Sequence, residues 1–294
     1  MSFVVTGATG QLGRLVIEHL LDRGVAPDTI TATARSVDRL ADVADRGVTT
    51  AYLDYAQPID GALKAGDTLL LVSSNEVGQR FTQHSAVIEA ATAAGVARIV
   101  YTSLLGASTS SHVLAPEHKQ TEEAIAASGI PFTILRNGWY SENYRPNFDQ
   151  AAASGAFAGA AHDGLVSPAA RADYAEAAAV VLTTEGHEGK VYELAGAPAL
   201  TTAQIAQEFG AALGREISYV DLDADAFAAQ LTEAGLDEGL VGFLVAADTN
   251  TAEGTLHSTS TDLQDLLGRP STPLSETVAT WAAESEAGRS AAGA

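Results

Sequence analysis

Short apolar runs alternate along the chain with stretches in which apolar residues recur at helical spacing. Phe3-Val4-Val5 comes first, then Thr6-Gly7-Ala8-Thr9-Gly10-Gln11-Leu12-Gly13, then Leu15, Val16, Leu20 and Leu21 on one helical stripe. Residues 29–34 predict a second strand that ends at Arg35. A short helix follows (Val37, Leu40, Val43), then a third strand over 49–53 ending in Asp54-Tyr55, and a helical segment carrying Leu63. Residues 67–72 form a continuous apolar run, as expected where helices cover both faces of a parallel sheet, and end in Ser73-Ser74-Asn75. A helix over 83–95, with Gly95 as its C-terminal cap, leads to a fifth strand at 98–103. A helix over 116–128 leads to a sixth strand at 131–135, which ends in Arg136. Strands alternating with helices in this way predict an α/β fold, a doubly wound parallel sheet of Rossmann type. The polar residues after the strands gather where open α/β sheets take their ligands.

The pattern changes at Asn137. Gly138-Trp139-Tyr140-Ser141-Glu142-Asn143-Tyr144 concentrates aromatics and amides in a chain with only 6% aromatic residues. Asp173 then precedes an alanine-rich helix, and residues 190–194 predict a further sheet strand. A helix capped by Thr201 or Thr202 (Ile205, Phe209), a short strand at 217–220 and helical pieces up to Trp281 complete the chain. The tail beyond is expected to fray. Residues 1–136 and 171–196 are therefore assigned to the Rossmann domain. Residues 137–170 and 197–286 are assigned to a smaller C-terminal α/β lobe over the cofactor edge.

Strand, glycine turn and amphipathic helix, in that order, form the first unit of a dinucleotide-binding fold. Gly7 supplies a turn that a Cβ would obstruct, Gly10 admits a pyrophosphate, and Gly13 lets the helix sit close on the strand. The spacing G-x-x-G-x-x-G points to the short-chain dehydrogenase style of this loop. Arg35 selects the nucleotide. NAD-specific sheets place a carboxylate at the end of the second strand, and none occurs here between Asp28 and Asp38. A guanidinium there suits a 2′-phosphate, so NADP(H) is expected, with Arg39 one helical turn further on. Asp54 suits either the adenine amino group or a helix N-cap.

Composition narrows the function classes. The chain has 294 residues, 46% of them hydrophobic, and no cysteine, which excludes disulfides and thiolate chemistry. Its net charge of −21 argues against nucleic-acid binding. No apolar run approaches the ~20 residues of a membrane helix. The first strand begins at once, leaving no room for a signal sequence. A cytoplasmic protein is expected.

The usual catalytic pair of short-chain dehydrogenases, Tyr-x-x-x-Lys after the fifth strand, is missing. No tyrosine occurs between Ser103 and Ile130, and the residue four before Lys119 is Ala115. Ser103 stands near the usual catalytic serine without its partners. His112 and His118 are expected to be inert surface residues. The histidines at 84, 112, 118, 162, 187 and 257 have no metal-ligand spacing, so no metal is expected. No G-x-S-x-G elbow occurs.

The strings 6–13, 73–80 (Ser-Ser-Asn-Glu-Val-Gly-Gln-Arg), 101–105 (Tyr-Thr-Ser-Leu-Leu) and 136–144 resemble the NmrA-like atypical short-chain dehydrogenases. Arg171-Ala172-Asp173-Tyr174 and residues 186–196 extend the likeness through most of the chain, and type-2 NADPH:quinone oxidoreductases resemble it best. The resemblance implies that Gly7, Ala8, Thr9, Gly10, Gln11 and Leu12 hold the pyrophosphate and Arg35 the 2′-phosphate. It also implies that Ser73, Ser74 and Asn75 meet the nicotinamide-side ribose and phosphate. Asn137, Gly138, Trp139, Tyr140, Ser141 and Glu142, with Arg171, would close over the nicotinamide. Asn75 stands where a serine is the family expectation. The implied partner is a small aromatic quinone, and a homodimer is left open. Hydride transfer to a quinone needs chiefly proximity and a flat pocket. Trp139 or Tyr140 would stack on the ring, with the Tyr140 hydroxyl or the Asn143 amide polarising a carbonyl. A non-catalytic NADP(H)-binding redox sensor and a reductase of azo dyes or flavins are the alternatives.

Overall fold

A computed structural model describes residues 2–59 and 61–292. Strand β1 (Phe3–Val5) leads into α1 (Gln11–Asp22), then β2 (Ile30–Ala34), a 3₁₀ turn at Val37–Leu40, α2 (Ala41–Ala44) and β3 (Thr49–Tyr52). Next come β4 (Thr68–Leu71), α3 (Arg80–Ala94), β5 (Arg98–Leu104), α4 (Ala115–Ala127) and β6 (Phe132–Asn137). The chain continues through α5 (Arg145–Ser154), β7 (Ala156–Gly159), β8 (Leu165–Val166), α6 (Arg171–Thr183) and β9 (Val191–Leu194). It ends with β10 (Leu200–Thr201), α7 (Thr202–Leu213), β11 (Ser218–Asp221), α8 (Ala224–Glu233), α9 (Glu238–Ala252), α10 (Asp262–Leu267) and α11 (Leu274–Ala292).

Seven strands form one sheet in the order β3-β2-β1-β4-β5-β6-β9, parallel at every pairing. Successive residues of the central strands serve opposite faces. Leu69 and Leu71 pack with Val87, Ile88 and Ile125 of α3 and α4. Leu70 packs with Val16, Ile17 and the alanines of α6 on the other side. A wholly buried leucine of this kind is worth roughly 1.5–3 kcal/mol, so the run 68–71 belongs in the middle of the sheet, covered on both faces. Helix α6 is buried nearly all round, at Tyr174, Ala175, Ala177, Ala178, Ala179, Val181 and Leu182, because α1 and α10 lie against it. The strand order reverses across β1, with β2 on one side and β4 on the other. The crevice between the carboxyl ends of β1 and β4 is where such sheets take ligands.

The remaining elements gather around a second apolar cluster, in which Phe148, Phe157, Phe209 and Trp281 pack ring against ring. There β11 pairs with β7, and β10 with β8. Thr201 caps α7 in a reciprocal box with Gln204, settling the choice between the two threonines.

Several expectations change. Leu63 is buried in a loop, not on a helix, because Pro58 and the left-handed glycines 61 and 66 interrupt any turn. Asp173 lies inside the first turn of α6 rather than before it. It is buried, and its carboxylate binds Arg269 at 2.8 Å and the Thr272 N–H at 2.6 Å. Leu263 of α10 joins the core of the main sheet, although its stretch was assigned to the smaller lobe. The tail beyond Trp281 continues as helix to Ala292; Gly293 and Ala294 lie outside the described residues.

Candidate functional site

The chain leaves β1 through Gly7, whose φ of +58° a side chain would strain. A Cβ on Gly13 would lie 2.6 Å from the Gly7 carbonyl oxygen, so α1 packs on the loop only because that position is bare. Ala8 lies beneath the loop, buried, with its N–H given to the Thr33 carbonyl at 3.0 Å. Thr9, Gly10, Gln11 and Leu12 line a groove of about 790 Å³. Helix α1 has no side-chain cap and no acidic residue in its first turn. The N–H groups of Gln11, Leu12 and Gly13 thus have no protein acceptor among the described residues, which suits an anion.

Arg35 lies at one end of the groove, after β2, with Arg39 beside it. Its guanidinium is 66% exposed and meets Glu76 at 3.2 Å. Glu76 also accepts from the Gln83 amide at 2.7 Å, and Gln83 accepts in turn from the Ser74 hydroxyl. Asp54 lines the groove as well, and its carboxylate accepts from the Ala56 N–H at 3.0 Å, closing a local turn.

The wall formed by the ends of β4 and β5 holds side chains that the sequence reading passed over. Ser74 donates its N–H to His84 Nε2 at 2.9 Å, and its carbonyl accepts from Arg80 Nε at 2.6 Å. The Thr121 hydroxyl donates to the Glu117 carbonyl, so His84 Nδ1, 3.1 Å away, carries the ring proton. Burial pushes His84 down to about 3, which keeps it neutral. His118 Nδ1 stands 2.7 Å from the Tyr101 hydroxyl, a phenol that burial holds well above its ordinary range and hence protonated. With the phenol donating, the Nε2 proton of His118 is left on the groove side, where His118 is part of the lining. His112 is buried too, with its ring 6.4 Å from that of Trp139. Neither is a surface residue. A polar signal was available: Arg80 and His84 share one stripe with Val87, Ile88 and Ala91, and His118 shares one with Thr121 and Ile125.

Ser103 donates its hydroxyl to Glu122 at 2.5 Å, and Glu122 with Glu193 clamps Arg136 at 2.6 and 2.7 Å. Arg136, at the end of an apolar strand, is thus committed to a half-buried ion-pair cluster. Beyond it Asn137 is buried, with its amide 3.2 Å from the Tyr140 hydroxyl. Gly138 passes close under Leu194 and Tyr174, where a Cβ would approach both to 3.0 Å. The Tyr140 ring packs edge-on against Tyr174 at 5.2 Å, and the Arg171 guanidinium covers it at 4.9 Å. Ser141 is wholly buried and lies outside the groove lining, its N–H bound to the Ala169 carbonyl. Both oxygens of Glu142 accept from the Arg171 N–H at 3.0 Å, which caps α6. The Asn143 side chain is exposed and has no protein partner among the described residues.

The family model described as NAD(P)H-binding matches residues 7–185. The chain belongs to the NAD(P)H-binding family. It is 48% identical over 276 residues to quinone oxidoreductase 2 of Escherichia coli, covering 93% of this chain and 96% of that one. The crystal structure of an NADPH-dependent quinone oxidoreductase from E. coli in complex with NADPH superposes with a TM-score of 0.91 at 46% identity, covering 95% and 99% of the two chains. A triphenylmethane reductase structure from Citrobacter sp. gives 0.90 at 37% identity, with coverage of 95% and 98%. The chain is an NADP(H)-dependent oxidoreductase with a Rossmann fold.

The groove fits that cofactor. Its glycine cradle would be filled by any Cβ at Gly10, which would stand 3.1 Å from the Gly7 carbonyl oxygen. Unpaired N–H groups face the place for a pyrophosphate, and arginines flank it. At its far end the groove opens into a largely apolar chamber of about 1050 Å³. The two share Gln11, Asn75, Arg80, Trp139, Asn143 and Arg171 among their linings. Among the described residues, no three His, Cys, Asp or Glu side chains converge as a metal site, and no helix is long and apolar enough to cross a membrane.

Proposed function

We propose that this enzyme transfers hydride from NADPH to a quinone held in the chamber, without a tyrosine–lysine pair. The observation that carries the reading is the continuity of the groove, which has Arg35 at one end, with an apolar chamber at the other. The loop 7–12 would hold the pyrophosphate and Arg35 the 2′-phosphate. Ser73, Ser74 and Asn75 would hold the nicotinamide-side ribose. Asn137, Gly138, Trp139 and Tyr140, braced by Ser141, Glu142 and Arg171, would wall the nicotinamide. On this reading 1–136 and 171–196, with Asn137 to Glu142 at the nicotinamide and α10 packed on the main sheet, serve the cofactor, while the rest of 137–170 and 197–286 covers the acceptor.

Bound NADPH supplies the hydride. The residues at the junction supply position and charge. Arg171 and Arg80 set positive charge beside the place where an acceptor oxygen becomes negative. The Asn143 amide, free of protein partners among the described residues, is the group to polarise a carbonyl there. The Tyr140 hydroxyl accepts from the Asn137 amide and keeps its O–H free to donate, but burial holds that proton tightly, so it would polarise a carbonyl rather than protonate it. A reduced quinone oxygen takes its proton from water, so no titrating side chain is required.

The test is oxidation of NADPH and of NADH by the purified enzyme over a panel of benzo- and naphthoquinones. Saturable oxidation with NADPH preferred is expected. Tight NADPH binding with no oxidation above the uncatalysed rate would defeat the proposal and return the sensor reading.

A further inference from the structure

Charged or phenolic side chains reach the chamber in two separate places, apart from amides and hydroxyls such as Asn147, Gln150, Thr202 and Gln230. One is its junction with the groove, where Arg80, Arg171 and Asn143 stand. The other belongs to the chamber alone: Asp248 of α9, and Tyr144, whose ring packs on the Phe148 and Phe157 cluster, in a lining that also includes Phe227, Leu231 and Phe243. Asp248 Oδ2 accepts the Ala160 N–H at 2.8 Å, which ties α9 to the chain leaving β7. Oδ1 has no protein donor among the described residues, and burial holds the carboxyl above its ordinary range. The Tyr144 hydroxyl likewise has no protein partner among the described residues, and burial keeps it a protonated donor. Tyr219, the neighbouring phenol, is already used by the Ala161 N–H and Asp221. Neither Oδ1 nor the Tyr144 hydroxyl is sealed off by protein, so each is open to a polar group of an occupant of the chamber.

We infer that Asp248 and Tyr144 form a distal anchor of the acceptor site, selecting a flat acceptor with a protonated amine, or another hydrogen-bond donor, opposite its reducible carbonyl. The anchor rejects an acceptor with an anionic group at that end. The inference rests on the chamber being the acceptor site. The two polar places then orient one molecule: its carbonyl toward the arginines, its donor toward the carboxylate. The net charge of −21 acts in the same sense, drawing cations and repelling anions before contact. The redox step is unchanged: the carbonyl receives two electrons and one proton as hydride from NADPH, and a second proton comes from water.

The test measures binding with NADP+ in the groove, which has no hydride to give, through quenching of tryptophan fluorescence. The probes are a naphthoquinone carrying an aminoalkyl chain and a naphthoquinone sulfonate. The wild type is expected to bind the amine about tenfold or more tightly than the sulfonate. Asp248→Asn keeps an oxygen for the Ala160 N–H and turns an amide to the chamber. It should shrink the ratio to within about threefold, with NADPH affinity unchanged. An unchanged ratio, or a wild-type preference for the sulfonate, would overturn the anchor. Should Asp248→Asn fail to fold, Tyr144→Phe gives the second reading. A loss of about two- to fivefold for the amine with the sulfonate unaffected supports the anchor, and no change in either overturns it. Preference for the amine without turnover of any quinone would sink the quinone reading alone. Turnover without that preference would sink the anchor alone.

Discussion

Arg35→Gln is the change whose cost follows most directly from the geometry. The Arg35 guanidinium is two-thirds exposed and already paired with Glu76 at 3.2 Å, so binding a 2′-phosphate means giving up or sharing that pair. An exposed pair is worth about 0.2–1 kcal/mol. A charge-assisted bond to phosphate is worth roughly 1.5–3 kcal/mol. Subtracting about 0.5 kcal/mol for the pair leaves about 1–2.5 kcal/mol, a five- to sixtyfold rise in Kd for NADPH. NADH has no 2′-phosphate and should change by less than about twofold. Glu76→Gln is the converse: it frees Arg35 and removes an anion beside the phosphate, so NADPH should bind about two- to fivefold more tightly. The assay is an equilibrium titration of each variant with both cofactors at low and at physiological salt. The NADPH effects should shrink as salt rises, because the groups are exposed. Equal losses of NADPH and NADH in Arg35→Gln, or no gain in Glu76→Gln, would refute the reasoning.

Three further outcomes follow from other parts of the structure. Gly13→Ala puts a Cβ 2.6 Å from the Gly7 carbonyl oxygen, so loop and helix must separate; NADPH affinity should fall about 10- to 100-fold in a titration, with about 1–3 kcal/mol lost from stability. Asp173→Ala strands the Thr272 N–H and removes one of the two carboxylates that hold Arg269, the other being Glu176, and should cost about 1–3 kcal/mol in urea unfolding with Kd for NADPH nearly unchanged. Acid should destabilise the fold before the carboxylates titrate. Burial depresses His84 to about 3 and His112 to about 4, and holds His118 well below its ordinary range. The unfolded chain takes these protons below pH ~6.5 and the folded chain does not, so stability falls with pH below ~6.5. Each histidine contributes up to about 1.4 kcal/mol per pH unit. His162, raised by its hydrogen bond to Asp221, acts in the opposite sense, its contribution being lost as pH rises, and is outnumbered by the three depressed rings. Urea unfolding between pH 6.5 and 5.5 checks the slope, and a flat profile would contradict the burial of these rings.

The sheet was legible because buried parallel strands need continuous apolar runs. Residues 3–5, 67–72, 98–103 and 131–135 are mostly apolar on both faces, their polar residues being mainly threonines and the run ends Asp67, Arg98 and Ser103. The glycine loop was legible for the opposite reason: Gly7 and Gly13 stand where a side chain is sterically barred. Arg35 was readable as a charge at a known strand end, but not its pairing with Glu76, which comes from a loop 41 positions away. The histidines misled because a titratable residue between two helices looks exposed until the facing helix is known. The packing of α3 against α4, with the Tyr101 ring of β5 against both, buries His84 and His118. The chamber was invisible in the sequence, since Asp248 lies on α9, far from the motifs, and is brought to the site by its bond to the Ala160 N–H after β7 and by the packing of α9 on α8 and β8. Ser141 and Ala8 sit within motif strings, yet their side chains face the interior. Motif membership names a segment, and backbone direction decides which side chains reach the ligand.

The central claim is that the groove places the nicotinamide at the junction and the acceptor in the chamber. A crystal structure of the enzyme with NADP+ and a naphthoquinone tests it most directly. The nicotinamide ring is expected beside Trp139 and Tyr140, the 2′-phosphate at Arg35, and the quinone ring stacked over the nicotinamide within the chamber. A nicotinamide pointing away from Trp139, or a quinone bound outside the chamber, would contradict it.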